Sequence, residues 1–592
     1  MVPRDLRQGL TSPFWLVLVV ALFCVPLFIG LGRTDLDNDE AIYSYAVDSI
    51  LTTGDWLSPR SSPNEQIVFL EKPPLKFWIV AAPIRLGLLP RDEFGYRFWD
   101  ALFGSLAFIY VFLIGRRVAG PLCGAVAVLV LFAHVPLLFD HGLRSNNMEA
   151  ALLLAYCGGI YHYLEWSDGD RRRTRHIAAF GAMFFLGFMT KFVAALFLPL
   201  IVATSALVRS SDRRQLRQDW WRWGLAGVGV VAAVLPWFLY QYSRNGRQLW
   251  LVMFAEHVYT RFTVYADPHH VHPWSFYVTE AWRALGRARS EWLVLSGLIL
   301  LVANRVRRRV RDVEVLLIWV IVPVALISLG TSKLYHYFYP YLPPLAIAAG
   351  YAVAWLAGLL DGLVGPWRAR IGASARRLPP GVCRALWVLA AAGLLVALAT
   401  AIVGSIHLRV GGHVLYRNST VVRPLLLSVI CIALAGRMLA AGGAALMLLV
   451  AMLVPTPLAG YGENLARLTI RHHPLKDLAG CLHEVDASRR AMGLSAPGVY
   501  APVSPEAYLH PYFFYLRGRG WHAPRVDDDL LYRSLFVPAD ERPVAIDKAR
   551  YAEFLARTPA ASDTVVAVDQ PTIFVLLPGQ YGRCRAASGP SR

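Results

Sequence analysis

In this chain of 592 residues, 56% are hydrophobic and 17% charged, with a mean hydropathy of +0.44, which excludes an ordinary soluble protein and points to a polytopic membrane protein. The net charge of +19 would suggest nucleic acid in a soluble chain. Here the basic runs lie between apolar spans, so the positive-inside rule accounts for them and nucleic acid is excluded.

A hydrocarbon core of roughly 30 Å needs about 20 apolar residues per helix. Runs of that kind predict about thirteen spans, at 13–32, 98–117, 121–140, 148–165, 177–190, 193–208, 223–242, 291–305, 314–330, 338–360, 384–407, 422–438 and 441–458. The first follows Arg4 and Arg7 and reads as a retained helix rather than a signal peptide. With the N-terminus inside, Arg116-Arg117, Arg171 to Arg175, Arg209 to Arg217, Arg305 to Arg311, Arg368 to Arg377 and Arg437 all fall on the inner side, which on this reading offers only arginines.

The opposite connections are of another kind. They are a first outer loop at 33–97, then 140–149, the Thr190-Lys191 turn, a long outer loop at 243–290, 330–337 and 408–421. Acids, histidines, lone lysines and aromatics collect there. An odd number of spans puts residues 459–592 on the same side, where Thr564 to Val568 and Thr572 to Leu577 predict strands of a small α/β domain. The expected architecture is therefore a polytopic α-helical membrane module at 1–458 with a small extracytoplasmic α/β domain at 459–592. None of the seven cysteines has metal-ligand spacing, and Cys481 and Cys584 can form one disulfide if the tail lies on the oxidising side.

The chemistry is expected on that outer side. Asp37, Asn38 and Asp39 compete to cap a surface helix over Ala41 to Leu51, and the excess of acids predicts a general base at Asp39, with Glu40 beside it. In Glu71-Lys72-Pro73-Pro74 the double proline starts a helix and holds Lys72 extended. A compact ammonium there suits a phosphate at the headgroup level, against the alternative of simple snorkelling. Thr331 to Pro340 brings Lys333, His336, Tyr335, Tyr337 and Tyr339 to the outer end of a span, a cation where the orientation rule asks for none. The long outer loop adds Glu256, His257, Arg261, His269, His270 and His272. Its three close histidines invite a divalent metal but lack a ligand framework, so a phosphate-facing or interfacial loop is favoured. Glu149, downstream of Arg144, opens a span as a helix-dipole partner or a catalytic acid, and Lys191 reads equally both ways.

Asp39-Glu40-x-x-Tyr43, Gly54-Asp55-Trp56, Glu71-Lys72-Pro73-Pro74-Leu75 with Trp78, Glu256-His257 with Arg261-Phe262, and Ser332-Lys333-Leu334-x-His336-Tyr337 follow one another over about residues 10–345. This ordered set resembles the lipid A aminoarabinose transferases, GT-C integral-membrane glycosyltransferases related to the protein O-mannosyltransferases. The resemblance implies a polyprenyl-phosphate-linked sugar donor and an inverting transfer to a lipid, glycan or protein acceptor at the outer face of a bacterial inner membrane. It implies Asp39 as the base, Lys72, Arg261, Lys333 and His336 around the donor phosphate, and Tyr43, Glu71, Tyr339 and His257 as pocket residues. It implies no resident cofactor, and a divalent metal stays open. Two departures stand out: Glu149 replaces the family's aspartate, and Thr190-Lys191-Phe192 replaces its Thr-Lys-Gly turn. The alternative is a transporter or flippase, which would need ionisable groups at mid-depth rather than at one rim.

Overall fold

The computed structural model describes residues 12–60, 68–169, 173–265, 268–306, 312–372, 379–403 and 455–494, with shorter stretches between 406 and 431 and in the C-terminal part. The expected span at 441–458 lies almost wholly outside the described residues, as does most of that at 422–438. The chain forms two compact units. One comprises Met1–Leu31, Leu70–Lys76 and Arg97–Ile470, and the other Gly32–Phe69, Phe77–Tyr96 and Arg471–Arg592. Most of the first outer loop, all but Leu70–Lys76 and Arg97, therefore groups with the tail rather than with the membrane helices.

Most helices belong to the larger unit. They are α1 (Ser12–Val19), α4 (Glu93–Ala119), α5 (Pro121–Ala133), α6 (Val135–Phe139), α7 (Glu149–Ser167), α8 (Arg173–Lys191), α9 (Phe197–Val208), α10 (Ser210–Asn245), α11 (Phe276–Arg287), α12 (Glu291–Val306), α13 (Val313–Leu329), α14 (Leu342–Gly372), α15 (Pro380–Val403) and α16 (Pro455–Arg467). Among the described residues, Glu93–Ala119, Arg173–Val208, Ser210–Asn245 and Tyr335–Leu359 are long and apolar enough to cross a membrane, and shorter apolar helices such as Pro121–Ala133, Glu291–Asn304 and Val313–Leu329 accompany them. Arg173–Val208 is not one straight rod. Phe192 has φ 47°, and a Cβ on Gly187 would lie 3.2 Å from Ala195 Cβ, so the chain doubles back between α8 and α9 where the Thr190-Lys191 turn was expected.

Glycines permit the tightest helix crossings, as small residues do in membranes. A Cβ on Gly350 of α14 would sit 2.1 Å from the Cys123 carbonyl of α5, and one on Gly297 of α12 would sit 1.9 Å from the Ala348 carbonyl.

The basic ends of these helices are not arginine alone, which corrects the sequence reading. Arg117 pairs with Asp168 and Asp312 at 2.7 Å and with Glu165 at 3.2 Å, and Arg209 reaches Asp312 and Asp212 at 3.3 and 3.4 Å. Asp212, Asp219 and Asp312 are buried, and carboxylates persist there because each has a cation.

The larger unit also holds the antiparallel pair β1 (Ile406–Val410) and β2 (His413–Asn418). The smaller unit contains α2 (Asn38–Thr53), most of α3 (Leu75–Arg85), α17 (Pro474–Ala491) and a sheet of β3 (Val499–Tyr500), β4 (Trp521–His522), β5 (Val544–Asp547), β6 (Val565–Asp569) and β7 (Ile573–Leu577). Strands run in the order β4-β3-β5-β7-β6, parallel at β4/β3/β5 and antiparallel at β5/β7/β6. Both strand-like runs of the sequence are strands. The Cys481–Cys584 disulfide is formed and ties α17 to the end of the chain, with Cα atoms 5.6 Å apart. The Asp35 carboxylate accepts from the backbone of Leu475 at 2.6 Å and of Lys476 at 3.3 Å, so the first outer loop caps the N-terminus of α17.

Candidate active site

The acids of the first loop sort themselves by geometry. Asp37 is the N-cap of α2 and accepts from the Asn38 N–H at 2.8 Å; Glu40 accepts from the Asp37 N–H at 2.9 Å, which closes a capping box. Glu40, expected beside the base, is thus a cap residue, 2% exposed. Asp39 lies between them on the first turn and is half-buried. Tyr43, one turn on, is buried among Phe69 and Phe77, with centroids 6.1 and 6.0 Å away.

In the larger unit α3 begins at Leu75, directly after Pro73-Pro74, as the double proline requires. Lys72 Nζ lies 3.7 Å from Glu71 Oε2, and the same oxygen lies 3.7 Å from His257 Nε2. His257 projects from a π-helical stretch, Leu251–Thr260, a form that concentrates at functional sites. Burial holds its imidazole down, to about 4, against the opposing pull of Glu71 and with the repulsion of Arg261 and Lys72. Arg261, immediately after this stretch, donates to Tyr337 Oη at 3.0 Å.

Tyr337 leads to a second group. Lys191 Nζ stands 5.1 Å from its ring centroid and donates to Glu149 Oε1 in a short contact. His336 Nε2 is 3.5 Å from the same oxygen, and the His336 ring stacks on His141 with centroids 4.5 Å apart. Glu149 Oε2 accepts the Met148 N–H at 3.0 Å. His141 itself is left-handed, with φ 50°, in a turn closed by the Leu143 N–H donating to the Leu137 carbonyl. Tyr337, which accepts from Arg261 and lies under the Lys191 ammonium, joins the two groups into one cluster. Lys72, Lys191 and Arg261 thus stand with Glu71 and Glu149 in one group of charges.

Two further predicted site residues hold backbone carbonyls. The buried Lys333 ammonium donates to the His272 carbonyl at 2.8 Å and to the Gly330 carbonyl, and its N–H to the His270 carbonyl at 2.7 Å. It braces the long outer loop. Tyr339 Oη donates within hydrogen-bond reach of the Pro136 and Asp140 carbonyls, at 2.9 and 2.6 Å, and so holds α6 and its turn. Lys191, His141 and Tyr337 are the members that the sequence reading left ambiguous or unused. The signal for Lys191 was its turn: Phe192 adopts the left-handed conformation that glycine takes freely, so replacing glycine here did not abolish the turn.

Among the described residues, the histidines at 269–272 belong to no group of three metal-ligand candidates. The His272 ring stacks on Phe276 at 4.2 Å, and among the described residues the one three-ligand group is Asp35, Glu93 and His473 in the smaller unit. That group is satisfied without a metal. Lys476 Nζ is 2.6 Å from Glu93, and His473 is 3.2 Å from Asp35 and 2.9 Å from the Gly32 carbonyl.

The fold is that of the GT-C membrane enzymes. It is similar to ArnT from Cupriavidus metallidurans, solved bound to undecaprenyl phosphate (TM-score 0.59, 18% identity, 98% of this chain and 100% of that one), and to the archaeal oligosaccharyltransferase AglB from Archaeoglobus fulgidus (TM-score 0.51, 13% identity, 95% and 74%). In sequence, residues 71–240 match the family described as dolichyl-phosphate-mannose-protein mannosyltransferase. Undecaprenyl phosphate-alpha-4-amino-4-deoxy-L-arabinose arabinosyl transferases are similar too: that of Pseudomonas aeruginosa PAO1 at 28% identity over 327 residues (53% of this chain, 55% of the relative), and transferase 1 of Pseudomonas fluorescens Pf0-1 at 27% over 321 residues (54% of each). The match thus spans about half the length of these curated relatives. The resemblance read from the ordered motifs holds: the chain is an integral membrane protein related to these glycosyltransferases.

Proposed function

We propose that the protein transfers a sugar from a polyprenyl-phosphate donor to a lipid A, glycan or protein acceptor on the extracytoplasmic side of a bacterial inner membrane. The observation that carries this reading is the cluster of Lys72, Lys191 and Arg261 around Glu71 and Glu149. It gathers fixed cations where a lipid phosphate would accumulate charge on departure, and preorganised charge of that kind is usually the largest catalytic contribution.

In the proposed step an acceptor hydroxyl oxygen attacks the anomeric carbon as the bond from that carbon to phosphate oxygen breaks. The hydroxyl proton passes to Asp39, the configuration inverts, and polyprenyl phosphate leaves. Asp37 and Glu40 maintain the helix that presents Asp39. Glu71 and Glu149 hold the flanking cations in place. The disulfide of the tail supports an oxidising compartment for this side.

The test uses purified protein in lipid nanodiscs, with polyprenyl phosphate as ligand and polyprenyl-phosphate-linked sugar as donor. Asp39→Asn is expected to bind polyprenyl phosphate normally and to lose transfer, whereas Arg261→Met loses affinity. Normal transfer by Asp39→Asn, or failure of the parent protein to bind polyprenyl phosphate, overturns the reading.

A further inference from the structure

Away from the acidic and cationic cluster, α8 and α10 enclose a groove of about 380 Å³ within the larger unit. Its volume is in the range of ordinary small-molecule sites. Ile177, Ala178, Ala182, Phe185, Gly229 and Ala233 are among its lining residues, and nearly all of the lining is apolar. The helices touch at Gly181, where a Cβ would stand 3.7 Å from Ala226 Cβ and from Val230. Beside that contact the small side chains leave a channel that neither helix fills. The outward face of α10 (Val228, Val231, Leu235, Leu239) is exposed, as expected of a helix against lipid.

One end of the groove is different. Thr174, Trp221 and Arg222 line it, and the Arg222 guanidinium stands 5.0 Å from the Trp221 ring centroid. Arg222 gives Nη1 to Asp219 at 2.5 Å, while its Nε is buried and without a hydrogen-bond partner. Arg173 and Arg175 flank Thr174, and Arg213, Arg214 and Arg217 precede Asp219 on α10. Along α8, Thr174 is 17 residues from Lys191, about 25 Å at 1.5 Å per residue, so this mouth is remote from the cluster at the other end of the helix.

An apolar channel in a membrane helix pair, with an unsatisfied guanidinium donor and a tryptophan at a basic mouth, matches one occupant: an anionic glycerophospholipid. We infer that such a lipid binds here, with an acyl chain between α8 and α10 and its phosphate on Arg222. Charge complementarity decides between lipids. A zwitterionic headgroup presents the same phosphate with a neighbouring cation that the surrounding arginines repel. A second copy of the chain would bring an apolar helix face and leave the Arg222 donor unsatisfied. The site would act as a ligand-dependent brace between two spans, separate from sugar transfer.

The test is retention of lipid by the full-length protein, delipidated in detergent and titrated with phosphatidylglycerol or phosphatidylcholine, with bound lipid counted by native mass spectrometry. Phosphatidylglycerol is expected to bind more tightly. Arg222→Gln should weaken it about fivefold, the effect of one basic residue at an anionic headgroup, and bring the two lipids together. Ala182→Leu, at an exposed position on the groove wall, should reduce retention of both lipids without a change in polyprenyl phosphate affinity. Equal binding of both lipids by the parent protein overturns the inference. So does unchanged retention in Ala182→Leu, or a groove that yields only dimers in the spectra. Because the readout is lipid retention, it stands or falls independently of any transferase assay.

Discussion

The Glu149–Lys191 pair gives the sharpest quantitative test. Lys191→Met removes the cation and leaves a carboxylate that is 5% exposed, with His336 at 3.5 Å as a substitute partner. Stranding one member of a buried pair typically costs 3–5 kcal/mol. His336 can take up a proton and recover part of this, so we expect a loss of about 2–4 kcal/mol, read as a lowered unfolding temperature in detergent. Adding Glu149→Gln removes the stranded charge and should restore most of that stability. Affinity for polyprenyl phosphate should behave differently. A charge-assisted hydrogen bond is worth about 1.5–3 kcal/mol, roughly 10- to 150-fold, and should stay lost in the double variant because the cation is still missing. A Lys191→Met protein as stable as its parent would refute the burial argument. A double variant that binds polyprenyl phosphate as tightly as the parent would refute the assignment of Lys191 to the phosphate.

Other expectations follow from the same geometry. Glu40→Ala should lower stability by about 1 kcal/mol through loss of the capping box, checked by comparing its melting curve with that of the parent. Cys481→Ala opens a covalent link spanning 103 residues and should destabilise the tail by about 4 kcal/mol, seen as earlier proteolysis of residues beyond 471. His257 binds its proton near 6.5 when unfolded but only near 4 when folded. The unfolded state therefore holds more protons between those values, and stability is lost as pH falls through that window, by up to about 3 kcal/mol. His257→Gln should flatten this part of a stability–pH curve.

How much of this was legible in the sequence depended on whether a residue announced itself locally. Asp37 to Glu40 at a helix start, Pro73-Pro74 ahead of Leu75, and the β-branched runs ending at Val568 and Leu577 are local patterns, and each formed the expected element. Lys333 and Tyr339 were recognisable as donors, but the carbonyls that receive them belong to residues 272 and 136–140, and no pattern in the sequence names an acceptor. Lys191 needed both a positive φ at Phe192 and a carboxylate 42 residues away. The acids that neutralise Arg117 and Arg209 are scattered from 165 to 312, so the basic side looked more uniformly positive than it is.

The bond from Asp35 to Leu475 spans 440 residues and bears on how this protein can be re-engineered or can diverge. Residues 471–592 cannot be swapped alone between related enzymes, because the incoming α17 would meet a foreign capping group, and the lysine that answers Glu93 would have to be at the right register. The exchangeable part is discontinuous: 32–69 and 77–96 travel with the tail. Chimaeras cut at the tail boundary alone should fold poorly, and those that carry all three segments should fold well. Any change in acceptor preference that accompanies the tail would then be inherited together with the helix that bears Asp39.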